Sequence, residues 1–138
     1  MTDYYVRKSG NDANNGLTAT TAKLTLAAAF ASWTGGDRIL LGTPGASETY
    51  HEGIDYLNIP SGLDDSHHTT LEVPEGATVV LDGTAKLFPA VCIIYYSGYV
   101  TIKGNLIFDA INSGYPAAVF LGGDAGGGYA HHLSLIHI

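Results

Sequence analysis

The sequence is short of positive charge. Its 138 residues hold 6 Lys and Arg against 13 Asp and Glu, a net charge of −7. Nucleic-acid binding depends on neutralising phosphates, and docking on anionic lipid needs basic clusters, so neither partner fits this chain. There is one cysteine, Cys92, so no internal disulfide can form and the redox compartment is unconstrained. Cys92 lies in an apolar run and reads as a small buried hydrophobe rather than a nucleophile. No apolar run is long enough to cross a membrane as a helix. The first residues, Met1-Thr2-Asp3-Tyr4, lack the basic stretch and apolar core of a signal peptide. Charged residues of both signs make up only 14%, while apolar residues reach 46% and glycines number 18. That balance suits a turn-rich, all-β chain better than a disordered or helical one.

What is present is a series of short strands separated by turns. Tyr4-Tyr5-Val6 reads as the first. A polar loop over residues 9–16 follows, rich in turn formers. It invites comparison with a calcium-binding EF-hand. Counted from Asp12, however, Gly16 stands where a ligand belongs and Lys23 where the bidentate Glu belongs. A hydrogen-bonded surface loop is expected instead. Residues 25–33 read as the one helix, with Thr25 as its cap and Leu26, Ala29, Phe30 and Trp33 on one face. Gly35-Gly36 is expected to end it. Such a helix is expected to cover the open end of a stack of strands, with Trp33 in the plug. Further strands are expected at 38–41, 56–59, 69–73, 78–81, 91–95, 99–103, 106–108 and 117–121.

These strands fall into columns. Leu71 recurs as Ile102, 31 residues on. Val79 and Leu81 recur as Leu106 and Phe108, 27 residues on. Ile93 recurs as Val119, 26 residues on. Repeats of roughly 20 to 50 residues mark a solenoid. Three short strands per turn with no helix between them make that solenoid a β-helix. A sandwich or jelly roll would show more Asn-Gly hairpin signals. The expected fold is an all-β, right-handed parallel β-helix of roughly three coils, with an N-terminal capping helix.

The motifs carry a resemblance as well. They are YYVRKSGNDANNG from Tyr4, Thr25 and Ala29 in the helix, Gly36-Asp37, Tyr50-His51-Glu52, Val80-Leu81-Asp82-Gly83 and Val100-Thr101-Ile102-Lys103-Gly104. From Tyr4 to about His132 the chain resembles the N-terminal region of pectin-lyase-like right-handed parallel β-helix proteins of bacteria and phages. The motifs belong to the cap and the coil turns, so the resemblance implies a fold and no particular activity. One departure is residues 42–49, longer than the usual turn before the tyrosine.

The last six residues, LSLIHI, match a translation of the mosaic-end adapter used in sequencing libraries. Residues 1–132 are therefore expected to be the cap and first coils, and residues 133–138 an adapter artefact in which His137 carries no meaning. The other reading is a native strand, because residues 131–135 arrive where the next first-column strand is due. On the artefact reading the native protein continues, and this fragment alone is expected to be poorly soluble or oligomeric by light scattering.

Asp82 and Asp109 are the best carboxylate pair. In one column on adjacent coils they would stand about 5 Å apart. That spacing could hold Ca²⁺, as the resemblance to polysaccharide lyases implies, or place an acid and a nucleophile as in retaining glycosidases. The plainer reading is two turn residues, each closing an apolar strand. Lys103 could serve as the base of a β-elimination, or be a solvated side chain beside a turn glycine. His67-His68 after Asp64-Asp65 has the donor types of a metal site, but adjacent residues seldom converge on one ion. Nothing in the sequence fixes the geometry of His51-Glu52. His131-His132 matches a turn position, and residues 122–128 form a glycine-rich turn without the lysine of a phosphate loop. Tyr95, Tyr96, Tyr99, Tyr115 and Tyr129 could line a sugar-binding face, although strand composition accounts for them as well.

Together these features lead to the expectation of an N-terminal β-helix fragment acting as a carbohydrate-engaging or structural module, associated with a phage tail or cell surface. The alternative is a polysaccharide lyase or glycoside hydrolase whose catalytic coils lie further on. Polysaccharide is the expected partner, with a homotrimer and Ca²⁺ reserved for the full-length protein. The expected location is extracellular or virion-associated.

Overall fold

The computed structural model describes residues 1–55, 58–83, 90–95, 97–109, 117–122 and 131–136. Among the described residues, ten strands and one short helix are arranged as a parallel β-solenoid of about three turns. The strands are β1 (Asp3–Val6), β2 (Arg38–Leu41), β3 (Ser47–Tyr50), β4 (Thr69–Glu72), β5 (Thr78–Leu81), β6 (Ala90–Tyr95), β7 (Gly98–Lys103), β8 (Leu106–Phe108), β9 (Ala117–Gly122) and β10 (His131–Ile136). The helix α1 spans Leu26–Phe30.

Three sheets run along the stack. The long sheet has the order β1-β2-β4-β7-β10, the middle sheet β3-β5-β8, and the short sheet β6-β9. Every strand pair is parallel, so each coil visits the sheets in turn and steps up one strand spacing. Alternation explains the faces. In β2, β4, β5 and β7 every second residue is buried, so Ile39, Leu71, Leu81 and Ile102 fill the interior. Each such side chain contributes about 1.5–3 kcal/mol by leaving water. Cys92 is buried in the short sheet, as expected of a small hydrophobe.

The register agrees with the expected columns in two places. Leu71 pairs with Ile102, and Val79 and Leu81 pair with Leu106 and Phe108. The third column is shifted by one residue: Val119 stands beside Cys92, and Ile93 beside Phe120. Cys92 and Ile94 of β6 are buried, and the pairing of Cys92 with Val119 carries this register. In β10, Leu133 and Leu135 align with Val100 and Ile102.

Three further expectations are corrected. Residues 42–49 are not all turn, because Ser47–Tyr50 forms β3, pairing Tyr50 with Leu81. Of the strand expected at 56–59, Tyr56 and Leu57 lie outside the described residues. Asn58 donates its N–H to the Asp55 carbonyl in a turn, and the short sheet is met instead by Ile54, which bridges to Cys92. The helix stops at Phe30, before Trp33. Trp33 is nevertheless buried and stacks on Phe30 with ring centroids 5.4 Å apart. Gly36 belongs to the turn that leads into β2, with a φ of +84°.

The outer edge of β1 is met by loop backbone. Tyr5 N–H donates to the Gly16 carbonyl at 2.7 Å, Lys23 N–H to the Tyr5 carbonyl at 2.9 Å, and Arg7 N–H to the Lys23 carbonyl at 2.9 Å. Residues 16–23 therefore satisfy groups that an edge strand would leave open. Between coils, turn glycines permit close approach. Gly104 has a φ of +101°, and a Cβ there would collide with the Val73 carbonyl.

Candidate functional site

The coil step places His51, Asp82 and Asp109 on three successive turns, each one residue beyond a strand of the middle sheet. The ladder continues through them: Asp82 N–H donates to the Tyr50 carbonyl at 3.2 Å and Asp109 N–H to the Leu81 carbonyl at 2.8 Å. Asp82 and Asp109 are thus column neighbours on adjacent coils, as expected. The Asp82 carboxylate is engaged by His51, with Nδ1 2.6 Å from Oδ2. The Asp82 side chain is only 9% exposed and that of His51 71%. A buried carboxylate thus engages a largely exposed imidazole. This arrangement can accept a proton from a hydroxyl or water. It can equally lock one coil to the next.

Glu52, beside His51, serves α1. Its Oε2 accepts Leu26 N–H at 3.1 Å and its Oε1 accepts Ala27 N–H at 3.0 Å. Thr25 Oγ1 accepts Ala28 N–H at 3.2 Å. The Asp12 carboxylate accepts Leu24 and Thr25 N–H and the Thr25 hydroxyl, each at 2.9 Å. A five-residue helix is too short to hold itself, and these side chains take up the donors of its first turn. Desolvation pushes the Asp12 carboxyl up, but the hydrogen bonds from Thr25 and Leu24 outweigh it and hold it below its ordinary value.

Lys103 lies apart from this column. Its ammonium is 3.1 Å from Glu72 on the outer face of the long sheet. Glu72 also accepts from Arg38 at 3.2 Å, and Arg38 grips Asp3 through Nε at 3.0 Å and Nη2 at 2.7 Å. Asp3, Arg38, Glu72 and Lys103 form an alternating charge ladder over β1, β2, β4 and β7. The structure therefore brings Asp82 and Asp109 into one column and gives Lys103 a partner on another sheet.

The loop compared with an EF-hand has its own cation. Lys23 is buried, and its ammonium donates to the carbonyls of Asn14 at 2.8 Å and Asp12 at 3.3 Å. At the far end of the first coil, Asp64 Oδ1 pairs with His67 Nδ1 at 2.8 Å, and this bond with Ser66 N–H lowers the Asp64 carboxyl. His68 turns the other way: its Nδ1 bonds to Thr101 Oγ1 at 2.8 Å, and its ring meets that of Tyr99 edge-on. The two histidines do not share a ligand position.

Among the described residues no three His, Cys, Asp or Glu side chains converge on a metal position. Asp82 and Asp109 supply two carboxylates, whereas Ca²⁺ takes about six to eight oxygens. Tyr96, Tyr115, Tyr129, His137 and residues 123–128 lie outside the described residues, as do the side chains of Tyr95, His131 and His132.

Sequence reading missed the His51–Asp82 contact, the charge ladder and the loop-filling Lys23. The first was within reach, since Tyr50 and Leu81 begin the same 31-residue step that carries His51 onto Asp82. Compared with family models, curated proteins and solved structures, the chain matches none.

Proposed function

We propose that this chain forms the first coils of a β-helix protein that acts as a carbohydrate-engaging or structural module, of the phage tail-associated or cell-surface kind. The observation that carries this reading is how the charged side chains are used. Asp3, Arg38, Glu72 and Lys103 bond to one another across four strands, Glu52 and Asp12 hold α1, and Lys23 fills its loop. These contacts tie β1, β2, β4 and β7 to one another and α1 to its loop, which suits a module built of stacked coils. A shaft of stacked coils also presents side chains at a regular spacing, about 4.8 Å per coil, suited to an extended polymer.

A second reading is favoured by the His51–Asp82 contact beside Asp109. It is a polysaccharide lyase or glycoside hydrolase to which these coils contribute a proton-accepting pair. Co-sedimentation with insoluble polysaccharides, combined with assays for unsaturated and reducing ends, separates the two. Protein in the pellet without released ends supports the module. Released ends would replace it with the enzyme.

A further inference from the structure

We propose that Tyr99, with His68 against its ring and Thr101 beside it, is a stacking subsite for a neutral polysaccharide on the outward face of the long sheet. The proposal deepens the carbohydrate-engaging reading and rests on it. Among the described residues Tyr99 is the only non-glycine with a positive φ, at 54°. A bulky side chain is disfavoured there because its Cβ crowds the following carbonyl. Glycine or asparagine would serve the backbone better. Tyrosine adds an aromatic ring, and strained residues of this sort gather at ligand sites.

The surroundings explain how the conformation is held. Gly62 N–H donates to the Gly98 carbonyl at 2.9 Å, Gly98 N–H donates to Ser61 Oγ at 3.1 Å, and a Cβ on Gly62 would collide with the Tyr99 carbonyl. The loop before β4 thus clamps the start of β7. The His68 ring lies 6.0 Å from the Tyr99 ring at an interplanar angle of 63°, and its hydrogen bond to Thr101 fixes the imidazole.

The coil register then lays out a face in rows. His68 and Tyr99 form an aromatic end. Thr70 pairs with Thr101 as a row of hydroxyls, and Glu72 pairs with Lys103 as a row of charge. A sugar ring offers an apolar C–H face to an aromatic ring and hydroxyls to threonine and imidazole. The net charge of −7 repels polyuronates and leaves neutral glycans as the class that fits.

Affinity electrophoresis tests this with the full chain in gels containing galactomannan, xyloglucan or polygalacturonate. The expected result is retardation of the wild type and Tyr99→Phe by a neutral glycan and not by polygalacturonate. Tyr99→Asn, which keeps the left-handed backbone and removes the ring, should lose about tenfold in affinity at an unchanged thermal midpoint. His68→Ala provides a second reading should Tyr99→Asn lower that midpoint, and it too should weaken retardation. Equal retardation of wild type and both variants would overturn the subsite and leave the module reading standing. Retardation by polygalacturonate alone would overturn the neutral-glycan assignment. Retardation by none of the gels would overturn the subsite and the carbohydrate reading together.

Discussion

The ammonium of Lys23 lies 2.8 Å from the carbonyl oxygen of Asn14, inside the loop that leads from β1 to α1. A side chain thus occupies the place a bound cation would take. Lys23→Ala should lower the unfolding free energy by about 2 kcal/mol, the loss of charge-assisted hydrogen bonds and of buried stem. Added propylammonium should restore part of it. Calcium should leave the thermal midpoint of the wild type unchanged, and a calcium-dependent rise would contradict this account of the loop.

Asp37 makes stability depend on acid. Burial pushes its carboxyl up, but hydrogen bonds from the Thr34 hydroxyl and from the Thr2 and Thr34 N–H groups outweigh burial and leave it below its ordinary 3.8. A carboxyl lowered in the folded state stabilises above the unfolded value and loses that contribution as pH falls through the folded one. Asp12 acts in the same direction. Stability should therefore hold near pH 5 and fall progressively below about pH 4. Asp37→Asn should cost about 1–3 kcal/mol at neutral pH and flatten the acid limb. Circular dichroism against denaturant at several pH values reads both effects; an acid limb identical to that of the wild type would exclude Asp37 as a source.

The one-residue shift in the short sheet can be read by cross-linking. Val119 lies beside Cys92, and neighbouring strands are spaced within disulfide reach. Val119→Cys should form a disulfide with Cys92 under oxidising refolding, and Ala118→Cys should not. The opposite pattern would restore the 26-residue step.

Tyr99 should respond to substitution by backbone conformation before side-chain size. Asparagine tolerates the left-handed region and valine does not. Tyr99→Val should be less stable than Tyr99→Asn by about 1–2 kcal/mol in denaturant unfolding. Equal stabilities would mean that the φ of 54° carries no strain.

Much of the coil was legible because alternation and recurrence report directly on a solenoid. Leu71 with Ile102, and Leu81 with Phe108, follow from strands whose apolar residues alternate. The run at β6 has no polar residue to mark its outer face, so the sequence could not choose between Ile93 and Cys92 as the inward residue. β3 was hidden because Ser47, Glu48 and Thr49 are polar and only Tyr50 turns inward. Glu48 is retained there by the Tyr50 and Thr43 hydroxyls, a contact no local pattern announces. The helix looked longer because composition alone favours helix through Trp33, while the chain turns at Thr34 to seat Asp37. Of the candidate site, the Asp82–Asp109 column was legible from the repeat. The partner of Lys103 was not, because Glu72 belongs to another coil and is joined to it only by stacking, and the partner of His51 follows from the 31-residue step only once β3 is recognised.

On the proposed reading the chain engages carbohydrate without turning it over. The most direct test is the chain-length distribution of a polysaccharide that retards this protein, sized by chromatography after prolonged incubation with it. An unchanged distribution is expected. A shortened polymer, with the shortening abolished by His51→Gln or Asp82→Asn, would contradict it and assign those residues to catalysis.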